Sequence, residues 1–278
     1  AKFTADLPLG FSYDVKEVQA PEGYLRNADD VYTFTFSYTN DKEAKLTFKH
    51  TFKNERVTAK ISLQKQDKET KKAVPQGDAT LEKAVYGLYA REDIVHPDGA
   101  TGVIYEAGEQ VATLTTDKNG QASVDGLYLG NYYVKEITPP TGYLADEEEH
   151  DLVCNYEGDF VAEVKRDCLS LEQVMKQPFE IIKAANNGKT DADLLKGAGF
   201  TAYLVSSLTV KEDGSYDFGS AKPVVIGENG ATEIFTDEKG YARSIAIPYG
   251  TYIVRETTTP HNYTPVNDFI VQITENHP

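Results

Sequence analysis

Two cysteines, five histidines and one acidic run are the residues of this 278-residue chain whose types could do chemistry. Cys154 and Cys168 could form a disulfide, which requires Cα atoms within about 7 Å of each other. If the chain turns after Gly158 between two hairpin strands, simple pairing sets Cys154 opposite Glu163, so the two cysteines are out of register. The sequence therefore favours two free, mostly buried thiols, with a disulfide as the alternative.

The histidines and the acidic run do not have the spacing of a metal site. Zinc ligands recur at short, fixed separations, whereas the histidines are scattered at His50, His96, His150, His261 and His277. The acidic run at 146–149 lacks the alternating oxygen ligands and central glycine of a calcium loop. No Gly-rich phosphate loop or nucleophile elbow occurs. We expect no metal, no cofactor and no enzymatic activity on a diffusible substrate.

Charge and composition exclude two classes of partner and indicate an all-β fold. With a net charge of −16, the surface does not supply the clustered Lys and Arg that nucleic acid requires. No apolar run reaches the about 18 to 20 residues needed to span a bilayer, so no membrane contact is expected. The 18 Tyr and 12 Phe favour strands. The length suits two to three domains in series.

An internal repeat organises the chain. Its three copies occupy residues 7–17, 127–136 and 247–256. Each copy carries a glycine 120 residues after the previous one, at Gly10, Gly130 and Gly250. A turn segment at 116–120 recurs in the same way at 236–240, as turn chemistry between two strands. The repeat predicts three units, with boundaries at 1–58, 59–176 and 177–278.

A proline turn and a tyrosine follow each copy of the repeat. The tyrosines are Tyr24, Tyr143 and Tyr263. Exposed tyrosines can stack on carbohydrate, but recurrence at one position of the repeat favours a structural role at a strand start.

The two outer units each lack part of the repeat. Residues 1–58 contain the glycine strand and two later predicted strands, 31–39 and 45–54, but no opening strand with a lysine. The last unit has one further predicted strand after its tyrosine turn, at 269–275. We therefore expect the C-terminal part of a domain, one complete domain, and a domain without its last strand.

The ordered motifs of the repeat resemble the Cna B-type (prealbumin-like, SpaA-like) domains of Gram-positive cell-surface adhesins and pilins. The opening strand ends in Lys65-Gln-Asp67, a Thr-Asp-x-x-Gly turn follows, and Gly-x-Tyr-x-Val-Lys-Glu precedes Pro-x-Gly-Tyr. The likeness covers essentially the whole chain. It implies tandem Ig-like or prealbumin-like β-sandwiches in an elongated array, attached outside the cell to a Gram-positive wall.

In that family, the resemblance implies, the opening-strand lysine can form an amide with an Asn or Asp on the last strand, assisted by the glutamate. An apolar core lowers the pKa of the lysine and raises that of the glutamate, so a neutral amine can attack a carboxamide polarised by a protonated acid. The positions that match the family are Lys65, Glu136, Lys183, Glu256, Glu17 and Asn54.

No unit carries the complete triad of lysine, glutamate and amide acceptor. The first unit has no lysine, and the acceptor of the last unit would lie beyond its final predicted strand. In the middle unit Glu172 stands where the first unit has Asn54. A buried Lys65–Glu136 ion pair without an amide is therefore the favoured interpretation. Two other acceptors remain open, should the strand register differ: Asn155 and Asp167.

The resemblance makes a structural stalk or spacer the leading function, with neighbouring domains of the same surface protein as partners. An adhesion module that binds a glycan or host matrix protein directly is the main alternative, and an accessory domain of a hydrolase is a third. The insertion at 91–111 is the best candidate for a ligand-contacting loop, because binding residues concentrate in long loops on rigid scaffolds. A plain elongated hairpin is the simpler interpretation of the same segment.

Overall fold

The computed structural model describes residues 7–37, 47–186 and 193–275, and the all-β prediction is confirmed. Within these ranges the only helical segments are two short 3₁₀ turns, Val205–Ser207 and Glu228–Gly230. The same ranges contain no helix long and apolar enough to cross a membrane.

The strands fall into three groups along the chain. Those up to residue 172 are β1 (Phe11–Lys16), β2 (Val31–Phe36), β3 (Thr58–Asp67), β4 (Val85–Ala90), β5 (Ile94–Val95), β6 (Val103–Tyr105), β7 (Gln110–Thr115), β8 (Gln121–Leu127), β9 (Gly130–Thr138), β10 (Glu149–Cys154) and β11 (Glu163–Glu172). Those after it are β12 (Lys176–Gln177), β13 (Glu180–Ile182), β14 (Gly199–Leu204), β15 (Thr209–Val210), β16 (Tyr216–Asp217), β17 (Glu233–Phe235), β18 (Tyr241–Arg243), β19 (Ile247–Pro248), β20 (Gly250–Thr258) and β21 (Phe269–Ile273). We call β1–β2 the first ribbon, β3–β11 the middle sandwich and β12–β21 the last sandwich, in which β12 pairs with β19.

The first ribbon is an antiparallel pair whose aromatic side chains share one face. Tyr13, Tyr32 and Phe34 alternate with polar residues, as the two-residue period of a strand requires. The Phe34 ring lies 4.7 Å from that of Phe48, and the Tyr32 ring lies 4.6 Å from that of His50. The prediction of a strand at 45–54 is wrong for its described part: residues 47–54 contact the ribbon through side chains and form no strand, and Lys45 lies outside the described residues.

The middle sandwich packs a four-stranded sheet, β10-β9-β4-β7, against a three-stranded sheet, β11-β3-β8. Strand β3 alternates buried and partly exposed residues over its whole length, so one face of it enters the core. Ile61, Leu63, Tyr86 and Leu88 are among the buried residues between the sheets. The first and last strands of this sandwich, β3 and β11, are direct neighbours and run parallel.

The two cysteines show that the predicted hairpin between β10 and β11 does not form. Cys154 lies on β10 opposite Gly130 of β9, whereas Cys168 lies on β11 opposite Leu63 of β3. The strands belong to different sheets because the apolar faces of both are needed on opposite sides of the core. Both cysteines are buried free thiols.

The last sandwich repeats this plan with shorter strands. Its four-stranded sheet, β17-β14-β20-β21, packs over the β13–β18 pair, with Phe200, Ile226 and Tyr252 in the core. The repeated turn has the same role in both sandwiches: Thr116 Oγ1 accepts from Ala84 N at 2.9 Å, and Thr236 Oγ1 accepts from Ala198 N at 3.0 Å. Both threonines are buried.

The insertion at 91–111 contains an elongated hairpin, formed by β5 and β6. Its tip reaches the connection between β1 and β2 of the first ribbon, where Pro97 packs against Gly23. A Cβ atom on Gly23 would lie 2.6 Å from Pro97 Cβ, so this contact requires glycine. The hairpin therefore lies against the junction between the first ribbon and the middle sandwich.

Candidate functional site

A buried cluster of charged groups joins three strands of the middle sandwich. Lys65 on β3 places its Nζ 3.2 Å from Glu136 Oε1 on β9, and the same Nζ is in direct contact with Glu172 Oε1 on β11. The three side chains are 0%, 1% and 0% exposed. Burial of this kind removes water from charges, so their mutual contacts must compensate for lost hydration.

Strand register explains why Lys65 meets Glu172. The parallel pairing of β3 with β11 sets Lys65 opposite Ser170. Because alternate residues of a strand share one face, Glu172 lies on the same inward face as Ser170, one step further along. This places the last residue of the last strand over the lysine of the first strand.

Two hydroxyl groups that the sequence analysis did not single out complete the cluster. Tyr86 on β4 donates to Glu172 Oε1 at 2.5 Å, and Ser170 Oγ donates to the same oxygen at 3.1 Å. Lys65 Nζ also donates to the Tyr86 hydroxyl at 3.2 Å. The position of Ser170 two residues before Glu172 was a usable sign of a shared face, whereas nothing local marks Tyr86.

The environment shifts the protonation of these groups. Burial lowers the pKa of the Lys65 amine from 10.5 to about 8, against the opposing attraction of Glu136. Burial likewise raises the pKa of the Tyr86 phenol, so it stays a hydrogen-bond donor. Burial therefore makes the amine of Lys65 less basic than a solvated lysine.

A third buried carboxylate lies two residues after Lys65. Asp67 is completely buried and accepts from the Tyr143 hydroxyl at 3.0 Å and from Thr70 N at 2.8 Å. Burial alone would raise the pKa of Asp67, but hydrogen bonds from Thr70, Gln76 and Tyr143 outweigh it and lower that pKa. Tyr143, the repeated tyrosine, is thus fully buried and structural in this copy.

The last sandwich contains the lysine and glutamate in the same relation. Lys183 Nζ lies 2.7 Å from Glu256 Oε2, with side chains 6% and 0% exposed. Val266 N donates to that oxygen at 2.8 Å. The other oxygen, Glu256 Oε1, is buried without a hydrogen-bond partner among the residues that the structure describes.

Next to the first ribbon lie the glutamate and the amide acceptor that the repeat predicts for the first unit. Asn54 Nδ2 donates to Glu17 Oε1 at 2.9 Å, so the two residues predicted from the repeat are brought together. Glu17 Oε2 and Asn54 Oδ1 are both buried, and no described residue donates to either. A buried acceptor without a donor costs on the order of 1–3 kcal/mol, so this pair has the chemistry of a site for a donor such as an ammonium group.

The remaining candidate positions do not approach the cluster. Asn155 and Asp167 are both exposed, and Asp167 lies on the outward face of β11, next to the inward Cys168. Neither can reach Lys65, so the register that would make them acceptors is not the observed one. Among the described residues, no group of three or more His, Cys, Asp or Glu side chains could hold a metal ion.

The comparison with protein families decides the classification. The model of the SpaA prealbumin-like fold domain matches the chain twice, over residues 59–167 and 178–278. The chain belongs to this family. The resemblance found from the repeat is therefore confirmed, and the two matched stretches are tandem prealbumin-like domains.

One solved structure supports the same fold. The Bacillus anthracis TIE protein is 24% identical with a TM-score of 0.60, over 97% of this chain. A streptococcal ancillary pilin is 20% identical over 97% of this chain and 73% of its own, with a TM-score of 0.30. The shaft pilin spaA of Lactobacillus rhamnosus GG is 17% identical over 78% of this chain and 94% of its own, with a TM-score of 0.29.

The chain spans 40% of the length of the TIE protein. A comparison with curated proteins gives no match. Membership of the family thus fixes the scaffold, and the residues of the buried clusters are what this chain itself contributes to an argument about function.

Proposed function

We propose that this chain is a stalk segment of a surface or pilus-like protein of a Gram-positive bacterium, and that a buried Lys–Glu cluster ties the first strand of its middle sandwich to the last. The observation that carries this proposal is the cluster of Lys65, Glu136 and Glu172. In it Lys65 of β3 contacts Glu172 of β11 directly and also contacts Glu136 of β9. We further propose that the units divide near residues 58 and 176, as the repeat predicts.

The topology of the middle sandwich suits a load-bearing role. Because β3 and β11 are parallel neighbours over ten residues, the chain enters and leaves the sandwich at opposite ends. Tension on the chain then shears this pair, and its hydrogen bonds are loaded together. The lysine cluster lies near the C-terminal ends of β3 and β11, and it adds a contact that must break before the two strands separate.

In the middle sandwich we propose that the tie is ionic. Its acceptor is a carboxyl group and not a carboxamide, and breaking a buried ion pair by removing one partner is costly. In the first ribbon and the last sandwich we propose that Glu17 with Asn54, and Lys183 with Glu256, are positions of the amide-forming type, since they carry the residues that the family uses.

The same proposal accounts for partners and location. Two of the similar structures are named as a shaft pilin and an ancillary pilin, which supports an extracellular, wall-attached chain whose first partners are adjoining domains. We propose no enzymatic role. The insertion hairpin β5–β6 packs at a junction, so a structural role for it is favoured over glycan or matrix binding.

Intact mass and peptide mapping test the proposed chemistry. We expect the middle sandwich to show no loss of mass. A loss of one water, about 18 Da, with a peptide linking Lys65 to Glu172 would show that an amide replaces the ionic tie.

Pulling the chain from both ends in a single-molecule force experiment tests the stalk role. The middle sandwich should unfold at clearly lower force in Lys65→Met than in the exposed control Lys165→Met, and equal forces would argue against a load-bearing cluster.

A further inference from the structure

The middle and last sandwiches meet through an interface that consists of more than the connecting chain. Asp78, in the loop after β3, takes part in three hydrogen bonds to the last sandwich. Its backbone N donates to Tyr249 O at 2.9 Å, and its Oδ2 accepts from Thr251 N at 2.9 Å. Its Oδ1 accepts from Ser206 Oγ. One short loop therefore holds the start of β20 and the 3₁₀ turn beside it.

Tyr249 provides the apolar part of the same interface. Its ring packs on a small core of the middle sandwich formed by Ala79, Leu81, Tyr143 and Val174. Its backbone N donates to Met175 O at 2.8 Å. Leu129 occupies the equivalent position in the middle copy of the repeat. The larger ring of Tyr249 is therefore specific to the junction between the middle and last sandwiches.

The close packing requires glycine at two positions. A Cβ atom on Gly142 would lie 2.7 Å from Ala79 Cβ and 2.8 Å from Tyr249 Cγ. A Cβ atom on Gly77 would lie 2.2 Å from Tyr249 O. The third copy of the turn has Asn262 at the position of Gly142, with a similar positive φ of 69° and an exposed side chain. The conformation alone thus admits asparagine, whereas close contacts both from Ala79 of the same sandwich and from the docked Tyr249 demand glycine at 142.

We infer that the loop around Asp78 is a docking surface for the segment from Pro248 to Thr251, and that it makes the middle and last sandwiches one rigid body. Hydrogen bonds to a carboxylate fix orientation, and the partly buried ring of Tyr249 fixes the distance between the two units. A stalk can be hinged or stiff, so this inference goes beyond the proposed function. Load would pass between the two units without bending at the joint.

Distances between two spin labels test the inference on the full chain. Lys118→Cys and Lys211→Cys place labels on exposed turns of the two sandwiches, and the native cysteines are buried and stay unlabelled. Pulsed dipolar spectroscopy should give a single narrow distance distribution. Asp78→Ala and Tyr249→Ala should each broaden that distribution at least twofold, with circular dichroism confirming that both variants are folded.

Asp159→Ala is the matched control, because Asp159 Oδ2 accepts from Ala20 N at the other junction. It should leave the distribution unchanged. A broad distribution in the parent protein, or one that neither interface variant widens, would overturn the inference. Equal broadening by Asp159→Ala would overturn it too, since the effect would then be general loosening. None of these outcomes alters the mass or force measurements that test the stalk role.

Discussion

Lys65 Nζ and Glu172 Oε1 are in contact across the parallel pair of β3 and β11, and neither side chain is exposed to solvent. The two residues are more than a hundred positions apart in sequence. In the β3–β11 pair, however, Glu172 is only two residues beyond Ser170, the residue directly opposite Lys65. Glu136 lies on the other side of the same amine. The cluster thus contains two carboxyl groups and one basic group, which makes the lysine the residue on which its stability depends.

Lys65→Met should strongly destabilise the middle sandwich. The substitution removes the cation and leaves Glu136 and Glu172 buried without it, a situation that costs about 3–5 kcal/mol. Calorimetric unfolding measures the loss. Adding Glu172→Leu to the same protein should restore part of the stability. Lys165→Met, on the exposed face of β11, should change it by no more than about 0.5 kcal/mol, and an equally small effect of Lys65→Met would contradict a stabilising cluster.

The amine of Lys65 should contribute to the pH dependence of the free energy of unfolding. Its pKa is about 8 in the folded protein and 10.5 when solvated, so the unfolded chain binds more protons between these values. The free energy of unfolding should therefore rise with pH across this window, by about 3 kcal/mol at most. The measurement is the difference between the parent protein and Lys65→Met, which cancels the titration of tyrosines and thiols. A flat difference would mean that no free amine titrates at this position.

Both thiols should be unreactive until the protein unfolds. Burial raises the pKa of Cys154, and it raises that of Cys168 to about 12, so the thiolate fraction at pH 8 is very small. A thiol reagent should find no reactive group in the native protein and two groups in denaturant without reductant. Introduced Lys118→Cys should react at once and serves as the control. Fewer than two thiols in denaturant would indicate the disulfide that the structure lacks.

Tyr143→Phe should cost about 1.5–3 kcal/mol, the usual contribution of a hydrogen bond to a charged group. The variant leaves Asp67, which is fully buried, without the phenol that donates to it. Thermal unfolding of the middle sandwich measures the effect. Tyr263→Phe at the same position of the repeat is the matched control, because Tyr263 is 43% exposed and should tolerate the change. Similar losses in both variants would show that the repeat position, and not the bond to Asp67, sets the cost.

Much of the fold could be predicted from the sequence because the repeat consists of local patterns of residue types. The two-residue period of the strands, the glycine and proline turns and the 120-residue spacing each act over a few neighbouring residues. Counting back from the lysine strands also placed Glu172 where Asn54 stands in the first copy. The all-β fold follows from these patterns, and the resemblance carried by the repeat motifs implied the family and the pairing of Lys65 with Glu136.

The tertiary structure decided what depends on pairing between distant strands. The parallel register of β3 with β11 brings Ser170 and Glu172 over Lys65, and it excludes Asp167. The expected strand at 45–54 failed because alternation of residue types does not provide a partner for its backbone. Docking of Asp78 on the last sandwich likewise joins segments 173 residues apart. Such contacts leave no local pattern, since loop closure and packing select them only when the whole sandwich has formed.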